Sequence, residues 1–118
     1  MALDPSGNGP GARWRPELLD RMTAWFADRP GVTSQPMFGV PAFFVEGRVF
    51  ACVWGDGAGV RLPTETAQSV VGLQGLKSFT PFGRSPMRGW LQRDCTDAPD
   101  FKATRALCDA AYEYVQTL

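Results

Sequence analysis

The chain contains no histidine, and this absence narrows the chemistry that it can perform. Histidine is the side chain that titrates closest to neutral pH and the commonest protein ligand of metal ions. The three cysteines, Cys52, Cys95 and Cys108, are an odd number and form no CxxC pair, which is typical of free thiols in a reducing compartment. We therefore expect no enzyme activity, no metal or other cofactor, and no disulfide framework.

Net charge and long apolar runs are also missing. Twelve basic residues balance twelve acidic ones, so the formal net charge is zero. A neutral chain has no long-range field to attract nucleic acid, which disfavours direct nucleic-acid binding. No apolar run approaches the roughly 20 residues of a membrane-spanning helix, and no basic segment followed by an apolar one marks a secretion signal. The sequence predicts a cytoplasmic protein without membrane contact.

What the sequence does contain is a meander at 43–62. Glu46-Gly47 and Asp56-Gly57 separate three apolar runs by two residues each, a spacing that is typical of β-hairpins. Two-residue turns at these positions fix the register of all three strands. The predicted cross-strand pairs are Phe44 with Val49, Ala42 with Ala51, Val53 with Val60, and Ala51 with Leu62.

This register divides the meander into two unlike faces, because successive side chains of a strand point to opposite sides. One face is uniformly apolar, and we expect it to lie under helices. The other face combines aromatic rings with arginines, places Cys52 opposite Arg61, and places Gly59 opposite Trp54, where it leaves room for the indole. We expect a partner subunit, a ligand or another segment of the chain to cover it. This second face carries Phe43, Val45, Arg48, Phe50, Cys52, Trp54 and Arg61.

The remaining sequence predicts a single α+β domain. Residues 1–12 are rich in glycine and proline and are interpreted as a disordered tail, and 13–118 form the domain. Apolar stripes at helical spacing and short apolar runs between turn residues give an order α-β3/4-α-β2-α. Such an order favours two layers, with helices on one face of a mostly antiparallel sheet of five to six strands. The predicted helices are 16–28, 64–72 and 100–117, and the predicted strands outside the meander are 33–38, 78–82 and 90–93.

Four stretches resemble the TfoX/Sxy family N-terminal domain: Met37-Phe38-Gly39, 43–50, 60–62 and 82–90. The likeness covers residues 18–118. It implies a stand-alone domain of the YjbR-like α+β fold. Longer members of the family are competence regulators with a second, helical domain, so the resemblance raises a regulatory role as an expectation.

The candidate binding residues are arginines beside aromatic rings. Such combinations suit planar or anionic ligands and also serve as anchors in protein interfaces. The alternative is that Phe82, Met87 and Trp90 complete the core while the arginines bind loop carbonyls. The candidates are Arg61, Arg84, Arg88, Trp90, Met37, Phe38, Phe82, Phe50 and Trp54.

These observations favour a non-enzymatic interaction or regulatory domain. A monomer should not leave an apolar sheet face bare, so self-association through the aromatic-arginine face, as a homodimer, is the leading hypothesis. One alternative is a sensor of anionic metabolites that uses Arg61 and Arg84. Another is an accessory domain in competence-type transcriptional regulation.

Overall fold

Six antiparallel strands and three helices make up the part of the chain that the structure describes, namely residues 13–81, 85–95 and 98–118 of a computed structural model. The predicted α+β class is confirmed. The tail at 1–12, Phe82 and Arg84 lie outside the described residues. The elements are α1 (Pro16–Phe26), β1 (Val32–Met37), β2 (Val40–Val45), β3 (Arg48–Trp54), β4 (Gly57–Arg61), α2 (Thr64–Val70), β5 (Leu76–Ser78), β6 (Trp90–Asp94) and α3 (Ala98–Val115).

The strands form one sheet in the order β1-β2-β3-β4-β6-β5. The first four strands follow each other as hairpins, while α2 and β5 intervene before β6 returns to pair with β4. Strand β1 is an edge strand, and this position accommodates Pro36, which has no N–H to donate to a further strand.

Two of the tight turns have the same left-handed backbone. Glu46 and Gly47 have φ values of 53° and 76°, which confirms the predicted hairpin between β2 and β3. Phe38 and Gly39, at 56° and 77°, form an equivalent turn between β1 and β2. The sequence did not indicate this second hairpin, because a bulky side chain is rarely found at positive φ.

The turn between β3 and β4 differs from the prediction. Trp54 pairs with Gly57, so Gly55 and Asp56 form the turn instead of Asp56 and Gly57. Gly55 has φ 56°, and its N–H donates to the Arg13 carbonyl at 2.8 Å. Position 57 in β4 requires glycine, because the Cβ of any other residue would lie 2.0 Å from the carbonyl oxygen of Arg93.

A β-bulge changes the register of the meander. Phe44 pairs with Val49 as predicted, but Phe43 pairs with Ala51, which leaves Phe50 as an extra residue. The predicted pairing of Ala42 with Ala51 is therefore wrong. Because the next turn is shifted as well, the other predicted pairs are also wrong: the structure pairs Ala42 with Cys52, Ala51 with Val60, and Val53 with Ala58.

The bulge moves Phe50 to the side of the sheet that α1 and α3 cover, here called the helical face. The Phe26 ring of α1 lies 5.0 Å from the rings of both Phe43 and Phe50, and Phe50 also contacts Tyr112 of α3 at 5.6 Å. The prediction that Phe43 and Phe50 lie on the opposite face is therefore wrong. That opposite side, which carries Trp54, Arg61 and Trp90, is here called the aromatic face.

Candidate functional site

The centre of the aromatic face is covered by the chain itself. Phe79, which follows β5, is fully buried, and its ring centroid lies 5.2 Å from that of Trp54 and 5.6 Å from that of Trp90. A Cβ on Gly59 would lie 3.5 Å from the Phe79 ring and 2.9 Å from the Cys52 sulfur. Gly59 therefore makes room for Phe79 and lies opposite Cys52, whereas the sequence placed it opposite Trp54.

Towards β1 and β2, the aromatic face is only partly covered. Phe38 is 41% exposed, and its ring stands perpendicular to that of Trp54 at a centroid distance of 6.5 Å. Val40 and Ala42 of β2 are buried on this face. Other apolar side chains of the same face are partly exposed to solvent. We call this set the apolar patch, and it consists of Met37, Phe38, Phe44, Val49 and Trp54.

The structure brings some of the predicted site residues together and separates others. Arg61 pairs with Trp90 across β4 and β6, and Arg88 precedes Trp90 by two residues. Met37, Phe38 and Trp54 belong to the apolar patch. Phe50 does not belong to either group, because it is buried against α1 and α3, so its choice as a binding candidate was wrong.

A cleft of about 410 Å³ opens beside Arg88 and Trp90. Its opposite wall is α2, which contributes Thr64, Ala67 and Gln68. A hydrogen bond of 2.8 Å from the Leu62 N–H to the Gly89 carbonyl holds the two walls together. The sequence indicated Arg88 and Trp90, but it gave no signal for the α2 wall, since only the folded chain brings these segments together.

The cysteines do not form a reactive site. All three are buried, and burial raises the pKa of each thiol, to about 12 for Cys52. The thiolate is the nucleophilic form, so buried thiols with raised pKa values are inert. Arg61 lies opposite Trp90 and not opposite Cys52, as the sequence had placed it, so the register puts no arginine next to this thiol.

The buried thiols predict that stability falls at alkaline pH. Above the usual thiol pKa of 9.0, the unfolded chain loses the Cys52 proton while the folded chain keeps it up to about pH 12. The free energy of unfolding should therefore fall by about 1.4 kcal/mol per pH unit for each such thiol. Urea titrations at about pH 8 and about pH 10 measure this fall, and Cys52→Ala should reduce it by about 1.4 kcal/mol. An unchanged fall in the variant would show that Cys52 ionises normally in the folded state.

The described residues form neither a metal-binding cluster nor a membrane-spanning helix. No group of three or more histidine, cysteine, aspartate or glutamate side chains is placed to hold a metal ion within 13–81, 85–95 and 98–118. No helix in this part of the chain has the length and apolar character needed to cross a membrane.

Comparisons with known proteins identify no relative of this chain. Searches against protein-family models, curated proteins and solved structures each found no match. The resemblance to the TfoX/Sxy N-terminal domain therefore stays a hypothesis.

Proposed function

We propose that this chain is a non-enzymatic interaction domain that pairs with a second copy of itself through the apolar patch. The observation that carries the proposal is the turn at Phe38, where a large apolar side chain is held at φ 56° and is 41% exposed. A non-glycine residue in this backbone region costs about 1–3 kcal/mol, and such strain concentrates at functional positions. The turn therefore holds the Phe38 ring partly exposed to solvent, although this backbone conformation is unfavourable for phenylalanine.

The sheet edges offer a poorer route to self-association than the face. The exposed edge strand β1 contains Pro36, which cannot donate a backbone hydrogen bond to an added strand. The other edge strand, β5, has only three residues. Association through a sheet face needs no backbone hydrogen bonds between copies. Side chains of two sheets can instead interdigitate at a spacing of about 10 Å.

A second copy is a suitable occupant of the apolar patch. Its net charge of zero gives no electrostatic repulsion between copies, and the commonest soluble oligomer is a twofold dimer in which the same patch meets itself. Burial of apolar surface contributes about 25 cal/mol per Å², from which the cost of association is subtracted. Since Phe79 already covers the centre of the aromatic face, we expect a weak dimer.

The substitution Phe38→Asn tests this function. Asparagine before glycine is the favoured pair in this turn type, so the variant should be at least as stable as the wild type while it loses the exposed ring. We expect its dimer dissociation constant, measured by sedimentation equilibrium, to rise about tenfold or more. The matched control is Leu73→Ser, which removes a 56% exposed side chain in the turn after α2 and should leave the constant unchanged. A wild type that stays monomeric, or a variant that associates as the wild type does, would reject the proposal.

The proposal includes a cytoplasmic location, supported by three cysteines that are all free thiols. It leaves aside the sensor built on Arg61 and Arg84, because Arg84 lies outside the described residues. A regulatory role, which the family resemblance implies, would act through the same pairing of two copies.

A further inference from the structure

We propose that the cleft between α2 and residues 86–91 is a binding site for a small monocarboxylate with an apolar body. This site is separate from the apolar patch, and it is built by a single chain. Its volume of about 410 Å³ falls in the range of small-molecule sites in proteins. Ala67, Trp90 and Leu91 provide apolar lining, and Trp90 is 6% exposed.

The backbone around Gly89 shapes one wall of this cleft. Gly89 has φ 83°, and a Cβ at this position would come within 3.0 Å of the Leu62 carbonyl oxygen. Together with the hydrogen bond from the Leu62 N–H to the Gly89 carbonyl, this close approach fixes Arg88 and Trp90 relative to the start of α2. The cleft walls are therefore held by main-chain contacts and not by side chains alone.

Four polar side chains line the cleft, and they are exposed or half-exposed to solvent. Within residues 13–81, 85–95 and 98–118, these side chains make neither a hydrogen bond nor an ion pair. Arg29 and Arg93, by contrast, are paired with Asp109 at 2.9 Å and Asp100 at 3.1 Å. Arg88 resembles the exposed Arg48, which also makes no ion pair within the described residues. The four unpartnered side chains are those of Thr64, Gln68, Ser78 and Arg88.

The charges of the residues that line the cleft indicate which class of ligand it would bind. Among the described residues that line the cleft, Arg88 is the one that carries a charge, and none of them is acidic. A guanidinium group binds a carboxylate through two parallel hydrogen bonds, and the hydroxyl groups of Thr64 and Ser78 can donate to the same anion. Arg88 beside the apolar side chains of the cleft fits a monoanion with an apolar body better than a multiply charged phosphate.

A nuclear magnetic resonance titration with 2-naphthoate tests the site. The signals to follow are the indole N–H of Trp90 and the backbone amides of Thr64 and Gly89. The neutral analogue 2-naphthamide keeps the ring system and removes the charge, and octanoate distinguishes an aliphatic body from an aromatic one. The variant is Arg88→Gln, and the matched control is Arg48→Gln, which removes another exposed arginine at the start of β3.

We expect saturable shifts at these three positions with 2-naphthoate, octanoate or both. Affinity should fall about ten- to a hundredfold in Arg88→Gln and for 2-naphthamide, because a charge-assisted pair is lost, and it should be unchanged in Arg48→Gln. The proposal is overturned if neither carboxylate gives saturable shifts, if the shifts map to other residues, or if acid and amide bind equally. It is also overturned if Arg88→Gln binds as the wild type does.

Discussion

Gly57→Ala is expected to reduce the free energy of unfolding by more than about 3 kcal/mol, a large part of the roughly 5–15 kcal/mol by which folded domains are stable. The added Cβ would lie 2.0 Å from the Arg93 carbonyl oxygen and 2.6 Å from the Asp94 Cα. These are main-chain atoms of β6, so they can move only if β4 and β6 separate. Urea unfolding followed by circular dichroism measures the loss.

Gly47→Ala is the matched control for this prediction. Gly47 has φ 76°, and a Cβ there would meet nothing within 4 Å, so the substitution adds backbone strain without a clash. Its expected cost is about 1–2 kcal/mol. Gly57 lies in strand β4 without a left-handed φ, and the comparison therefore separates steric overlap from backbone strain. Equal costs for the two variants would contradict the register of β4 and β6.

Phe79→Ala is expected to cost about 3–5 kcal/mol, as large-to-small substitutions of buried aromatic residues do. The Phe79 ring fills the space between Trp54, Trp90 and Gly59, so its removal leaves a cavity beside the sheet. Urea unfolding gives the cost. Tryptophan fluorescence gives a second readout, since loss of the Phe79 ring exposes Trp54 and Trp90 to water.

Phe44→Ala provides the comparison for Phe79→Ala. Phe44 belongs to the same aromatic face but is only partly buried, so its truncation should cost much less, about 1 kcal/mol. If the two substitutions cost the same, Phe79 would not be the residue that covers the centre of the aromatic face.

The sequence predicted the fold class, because the helical stripes and the Glu46-Gly47 turn are local patterns. It misplaced the next turn because Gly55 and Gly57 are both suitable turn residues. The choice between them depends on the close approach of Arg93 from β6, which is remote in sequence. The bulge at Phe50 was also missed, since it depends on the contacts that its ring makes with Phe26 and Tyr112.

The candidate site was predicted only where one strand or one turn carries the relevant residues. Trp54 and Phe38 were both identified as binding candidates, and the structure places their rings 6.5 Å apart. Arg88 and Trp90 were identified from a single short segment. The other half of that cleft, on α2, could not be predicted, since Ala67 and Gln68 have no chemical feature that sets them apart in the sequence.

The most direct test of self-association through the apolar patch is an isotope-filtered nuclear Overhauser experiment on a mixture of labelled and unlabelled chains. Signals in this experiment arise only between protons of two different copies. We expect intermolecular contacts from the rings of Phe38, Phe44 and Trp54, which all belong to the apolar patch. Intermolecular contacts confined to α2, α3 or the part of β1 before Met37, or no intermolecular contacts at concentrations well above the dissociation constant, would contradict this expectation.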